Sequence, residues 1–283
     1  MGRLIKEITS DGSEKLYIYD AANNRKSLII KVDGDIYTHT TYSYDKMNRL
    51  TQVSENGELV ATYTYDTNGN RESINYSNGN TTEYTYNLAN NLKRLTNRLG
   101  AEVLSQYTYT YLLDGNQETK TDHNGKITTY TYDDLGRLIS EAPDNEPSIT
   151  YTYDDYNNRR AMTIEGISET TYEYDKSNRL KVERKIAGDI TEITRYSYDH
   201  NGNQIYKGTE VIKPDMGETP SVNILVAGVD GGSSIVTFNQ YNGFNQLIKT
   251  IVGDKTINYS YNGKGLRSSK EVNGAATIHI WDG

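Results

Sequence analysis

Cysteine is absent from this chain, and three other residue types are scarce: 1 Trp, 2 Phe and 4 Pro among 283 residues. Without cysteine there is no disulfide framework, no thiolate metal site and no cysteine nucleophile. So little Phe and Trp, at a mean hydropathy of -0.77, leaves meagre material for a thick oily core. The net charge of -8 is evenly interspersed and includes no basic cluster, which argues against phosphate-driven nucleic-acid binding. No stretch approaches the roughly 18 apolar residues of a membrane-spanning helix. The opening Met1-Gly2-Arg3-Leu4-Ile5-Lys6-Glu7 does not read as a signal peptide. His39, His123, His200 and His279 are scattered, without the paired spacing of a zinc site.

What the chain has is tyrosine, 26 residues of it. Most fall in Tyr-x-Tyr pairs followed by Asp and a Gly/Asn-rich corner, as in Tyr63-Thr64-Tyr65-Asp66-Thr67-Asn68-Gly69-Asn70-Arg71. The second Tyr of each copy falls at Tyr19, Tyr44, Tyr65, Tyr86, Tyr111, Tyr132, Tyr153, Tyr174, Tyr198, Tyr241 and Tyr261. A recurring period near 21 residues marks an array whose units bury surface by packing on their neighbours.

Within a unit Leu59, Ala61, Tyr63 and Tyr65 alternate with Val60, Thr62 and Thr64, the period of a strand. The corner at 66–70 turns the chain, and Arg71 to Tyr76 runs back to a second turn at Asn78-Gly79. The same second turn is expected at Asn56-Gly57, Asn124-Gly125 and Asn273-Gly274, and in altered form at Asp33-Gly34, Gly188-Asp189 and Gly253-Asp254. The fold class is therefore all-β, tandem antiparallel β-hairpins of about 21 residues in one long sheet.

Corners alternate between two kinds. One continues into Arg or Gln, as at Asn23-Asn24-Arg25, Gly69-Asn70-Arg71 and Gly202-Asn203-Gln204; the other places Leu next, as at Asn48-Arg49-Leu50, Gly136-Arg137-Leu138 and Asn178-Arg179-Leu180. The second kind is read as closing one residue sooner, so successive corners should face different surroundings. An insertion at 207–237 interrupts the otherwise single array of 1–283, with a Pro-containing loop at 213–220, a short strand at 222–226 and a turn at 228–232. Because Met1-Gly2-Arg3-Leu4 matches Met47-Asn48-Arg49-Leu50, and Trp281-Asp282-Gly283 falls where a repeat Asp belongs, the chain reads as starting and ending in mid-repeat.

No catalytic, cofactor or metal residue emerges. The Asp66, Asn68, Asn70 spacing resembles a calcium loop only superficially, since the positions that need Gly and a bidentate Glu hold Arg71 and Ser77. The repeat positions are read as structural: Tyr19 with Asp20, Tyr44 with Asp45, then Tyr63, Tyr65, Asp66, Gly69, Asn70 and Arg71. Tyr130, Tyr132, Asp133, Gly136 and Arg137 follow, with Tyr151, Tyr153 and Asp154. Tyr172, Tyr174 and Asp175 complete the set with Tyr196, Tyr198 and Asp199. Tyr pairs are expected to stack on the next pairs, and Asp to fix the corner.

The forms Tyr63 to Arg71 and Tyr130 to Leu138 resemble the YD repeats of Rhs proteins, which also occur in wall-associated bacterial proteins, Tc toxin shell components and teneurins. The resemblance covers nearly all of the chain except roughly residues 207–237. It implies a long sheet that spirals into a hollow shell, enclosing an effector in toxin members and serving adhesion in teneurins. It implies no cofactor, a secreted or cell-surface parent protein, and partners in the form of further repeats and a toxin or effector domain. The cleavage core that follows the repeats in Rhs proteins has no counterpart in this sequence, so no catalytic residue is carried over. Self-association through sheet edges is a further expectation. The alternative reading is a carbohydrate- or protein-binding adhesion module that uses the Tyr-rich face.

Overall fold

The computed structural model describes residues 2–8, 12–212, 236–263 and 265–278. Among them lie 24 strands and no helix, from β1 (Lys6–Ile8) to β24 (Ala275–Ile278). They fall in two compact units, 1–130 and 131–283, with β12 (Ile127–Tyr132) running across the division. In the first unit every strand from β1 to β12 pairs antiparallel with its sequence neighbour. In the second the same holds from β13 (Leu138–Pro143) to β24. The chain is an all-β succession of hairpins, as the alternation of Tyr and Thr dictates.

One hairpin shows why. In β6 (Glu58–Tyr65), Ala61, Tyr63 and Tyr65 share a face, and Tyr63 stands opposite Ile74 of β7 (Arg71–Tyr76). Ala61 and Ile74 are buried. On the other face the Thr64 hydroxyl meets that of Ser73 at 2.8 Å. Tyr65 pairs with Arg71 but Thr64 with Ser73, so Glu72 is an extra, bulged residue. The same register shift precedes the second Tyr at Tyr19, Tyr44, Tyr86, Tyr111, Tyr153, Tyr174, Tyr198, Tyr241 and Tyr261. Buried apolar side chains are few, namely Tyr17, Leu28, Ala61, Ile74, Tyr151 and Ile193 among the described residues. Stability must therefore come largely from the ladders and from contacts that Tyr makes while half-buried.

The even-to-odd connections form the corners at 20–24, 45–49, 66–70 and onward, which within each unit lie at one edge of the hairpins. The opposite edge is less uniform. Asn56-Gly57, Asp33-Gly34 and Asn273-Gly274 have positive φ at both residues, as tight two-residue turns demand. Gly188 and Gly253 have it at the first residue only. Asn124-Gly125 departs from expectation. It is not a two-residue turn but part of another Asp corner, in which Asp122 Oδ1 accepts from the Asn124 and Lys126 amides at 2.9 and 3.0 Å. The Asp two residues before Asn124 provides the acceptor that the two-residue turns lack.

Of the stretch 207–237, residues 207–212 belong to β19 (Gln204–Ile212) and 236–237 to β20 (Val236–Tyr241). The expected features at 213–220, 222–226 and 228–232, and Trp281-Asp282-Gly283, lie outside the described residues.

Candidate functional site

The corner is the recurring site of this chain. At 66–70 the Asp66 amide donates to Asn70 O at 2.9 Å, and the Gly69 amide donates back to Asp66 O at 3.1 Å. Asp66 Oδ1 accepts from the Asn68 and Asn70 amides at 2.9 and 2.8 Å. The fourth residue takes the left-handed conformation, with φ 90 at Gly69 and 61 at Asn48, which is why only Gly and Asn occupy it in the regular corners.

These donors hold the carboxylates below their ordinary range. At Asp45 and Asp175 the backbone amides of Arg49 and Arg179 do most, aided by the guanidinium groups. At Asp20, Asp133 and Asp199 the side chains of Asn24, Arg137 and Asn203 lead. At Asp66 and Asp154 desolvation pulls upward, and the amides of Asn70 and Asn158 outweigh it.

The two kinds of corner have one backbone. Asp45 to Arg49 makes the same hydrogen bonds as Asp66 to Asn70, so the expectation that the second kind closes a residue sooner is wrong. Both use five residues because both place Gly or Asn fourth; the difference lies in the fifth side chain.

In both kinds that fifth side chain grips its own Asp and then reaches the next corner. Asn24, Asn70, Asn158 and Asn203 each donate from Nδ2 to their own Asp and to Oδ1 of Asn48, Asn90, Asn178 and Asn245. Arg49, Arg137 and Arg179 instead bind Asp45, Asp133 and Asp175 at 2.7 Å. Their guanidinium groups lie over Tyr65, Tyr153 and Tyr198, 4.4, 4.6 and 4.9 Å from the ring centres. Arg3 likewise lies over Tyr19 and donates to Oδ1 of Asn23 in the following corner, as Arg137 does to Asn157.

The tyrosines of a pair differ in task. The second donates its hydroxyl to the carbonyl of the residue that follows the preceding corner: Tyr19 to Leu4, Tyr44 to Arg25, Tyr65 to Leu50, Tyr86 to Arg71 and Tyr111 to Leu92. Tyr153 to Leu138, Tyr174 to Arg159, Tyr198 to Leu180 and Tyr261 to Leu247 continue the series, all between 2.7 and 3.0 Å.

Where the returning strand opens with Arg, the first tyrosine lies under it. Arg25 covers Tyr17, Arg71 covers Tyr63, Arg159 covers Tyr151 and Arg267 covers Tyr259. Where that Arg is Gln117 or Gln204, a lysine three residues on covers a tyrosine of the preceding strand, Lys120 over Tyr107 and Lys207 over Tyr196. The described contacts of these rings are thus with cations and carbonyls, where ring-on-ring stacking was expected.

Tyr151 also donates to Glu141 at 2.5 Å and Tyr196 to Glu183 at 3.1 Å. Burial first, and the neighbouring carboxylate second, push both phenols up to about 12. Tyr130 and Tyr132 sit in β12 ahead of the Asp133 corner. Tyr172 and Tyr174 line a groove of about 570 Å³ between the corners at Asp154 and Asp175, together with Tyr156, Arg160 and Lys176. No His, Cys, Asp or Glu cluster among the described residues is arranged to hold a metal, and no described helix is long and apolar enough to cross a membrane. Sequence reasoning missed the Arg-on-Tyr contacts and the Asp122 corner; Asp122-His123-Asn124-Gly125-Lys126 was the available signal for the latter.

Antiparallel hairpins joined corner to corner by Tyr, Asp, Asn and Arg define a structural repeat wall of the YD type. The chain belongs to the teneurin YD-shell family, whose model matches residues 7–163. A 98-residue stretch is 37% identical to the tRNA nuclease WapA of Bacillus subtilis (strain 168), over 35% of this chain and 4% of that protein. The tRNA3(Ser)-specific nuclease WapA of Bacillus spizizenii matches at 37% over the same shares. The crystal structure of TcdB2-TccC3 is similar with a TM-score of 0.66 at 14% identity, over 96% of this chain and 16% of that one. That of TcdB2-TccC3-Cdc42 gives 0.64 at 15%, over 95% and 15%. These are likenesses of fold, and the chain spans a small part of each relative's length.

Proposed function

We propose that this chain is a non-enzymatic stretch of shell wall in a longer secreted or surface-exposed bacterial protein, where it encloses or presents a toxin or surface domain. On this reading 1–283 is one array of repeats with an insertion at 207–237, and its repeat Tyr, Asp, Gly, Asn and Arg positions are structural. The carrying observation is that the side chains a reactive site would draw on are already engaged: tyrosine hydroxyls by carbonyls and arginines by rings of the neighbouring repeat, and aspartates by the amides of their own corner. The family and the toxin-shell likeness support the same view. The nuclease activity in the names of the WapA relatives belongs to proteins of which this chain matches 4%.

The test is limited proteolysis of the parent protein. A domain carried beyond the repeats should resist cleavage while the wall is intact and become sensitive when several corner Asp residues are replaced by Ala. Equal sensitivity in both forms would refute enclosure.

The groove at Tyr156, Tyr172 and Tyr174 favours a second reading, recognition of a carbohydrate or protein surface. Glycan-array binding by the isolated chain that is lost in Tyr156→Ala, with the fold retained, would replace the first reading by this one.

A further inference from the structure

The Asp position of the corner is occupied by Asn at Asn87, Asn242 and Asn262, and only Asn242 and Asn262 are followed by Gly. Asn242 Oδ1 accepts from the Phe244 and Gln246 amides at 2.9 and 3.0 Å, as the Asp carboxylates do in their own corners. We propose that Asn242 is a self-modification site that deamidates to aspartate and so acquires the carboxylate its repeat position calls for.

The chemistry needs only water and base. The Gly243 amide nitrogen gives up its proton to hydroxide and attacks Asn242 Cγ, and the Cγ–Nδ2 bond breaks with loss of ammonia. Water then adds to the side-chain carbonyl of the cyclic imide and breaks its bond to Gly243 N, restoring the peptide. The net change is Asn plus water to Asp plus ammonia.

Three features of the corner favour this course. Gly243 has no side chain to hinder ring closure, and its N–H takes no part in the corner's hydrogen bonds. Two amides on Oδ1 stabilise negative charge there during both attacks on Cγ, in the manner of an oxyanion hole. They then bind the product carboxylate, while Gln246, whose Oε1 accepts from Asn242 Nδ2 at 2.8 Å, turns its amide to donate. Because the polarised carbonyl is the side-chain one, hydrolysis yields aspartate rather than isoaspartate.

Two kinds of asparagine serve as controls. Asn87 has the same two amides on Oδ1 but precedes Leu88. Asn68 and Asn201 precede Gly, but the Gly69 and Gly202 amides are committed to Asp66 O and Asp199 O at 3.1 Å.

The experiment is peptide mapping of the folded chain after incubation at mildly alkaline pH, with a chemistry that separates Asp from isoAsp. Conversion at Asn242 should run several-fold faster than at Asn87, Asn68 and Asn201 and give mainly Asp, whereas the urea-unfolded chain gives mainly isoAsp. Gly243→Ala should slow Asn242 alone. An intact Asn242 amide after the unfolded control has converted, a rate equal to that of Asn87, or a predominance of isoAsp in the folded chain overturns the proposal.

Discussion

Replacing Tyr65 by Phe removes a single hydroxyl from β6 and tests how successive corners are tied together. That hydroxyl donates to Leu50 O at 2.8 Å, and its loss should lower stability by about 0.5–1.5 kcal/mol. The Phe ring remains under Arg49, whose guanidinium carbon stands 4.4 Å from the ring centre. Tyr65→Leu removes that contact as well, for a further loss of about 0.5–1 kcal/mol. Arg49→Met removes it from the other side. The Leu and Met replacements should therefore couple by about 0.5–1 kcal/mol in a double-mutant cycle, and Tyr65→Phe with Arg49→Met by much less. Urea unfolding followed by circular dichroism measures each term, and amide exchange along β5 (Leu50–Glu55) reports the local change. Unaltered stability of Tyr65→Phe, together with strict additivity of Tyr65→Leu and Arg49→Met, would refute the account of the corner. If each of the nine described hydroxyl bonds contributes about 1 kcal/mol, the series rivals the whole net stability of an ordinary domain.

Other perturbations have defined outcomes. Gly69, at φ 90, should tolerate Asn nearly without loss, as other corners do, while Gly69→Ala should cost about 1–2 kcal/mol in thermal or urea unfolding. A Cβ at Gly208 would run into the Tyr206 ring, so Gly208→Ala should displace that ring at a cost of about 1 kcal/mol, recovered when Tyr206→Leu is added. Tyr151 and Tyr196 have folded values near 12 against 10.0 when unfolded. Their contribution should be complete below pH 10 and vanish as pH rises toward 12, which spectrophotometric titration would show as phenols ionising late or only with unfolding. The corner aspartates have the opposite sign. Their lowered values stabilise the fold above the ordinary 3.8, and that contribution should disappear as pH falls below it; Asp66→Asn should blunt this acid sensitivity.

Strand and corner positions were legible in the sequence because both rest on local rules. Period two in Thr62 to Tyr65 needs only the pleat, and Asp66 to Asn70 needs only its own amides. Two of the expectations that fail concern local structure as well. Leu50 follows the same five-residue loop that Arg71 follows, and Asn124-Gly125 lies inside a corner set by Asp122. What could not be read was the partner of each side chain. Arg49 meets Tyr65 and Tyr65 meets Leu50 across 16 and 15 residues, a pairing fixed by the register of β5 against β6, which sets Gln52 opposite Thr62. Neither has a sequence signature. The substitution of Lys120 and Lys207 for an absent Arg is visible only once cross-strand neighbours are known.

The reach of the fifth side chain toward the following corner gives those junctions a matching rule. Asn24, Asn70, Asn158 and Asn203 supply an amide and are followed by a corner whose fourth residue is an Asn that takes it; Arg49, Arg137 and Arg179 supply a cation that lies on the next ring. A ring follows every regular corner, but an Asn oxygen does not, so the Asn junctions are the selective ones. Joining Asn24 directly to the corner of Gly69 would leave its amide without that oxygen, whereas a repeat whose removal still brings an Asn fourth to the junction could be lost without a mismatch.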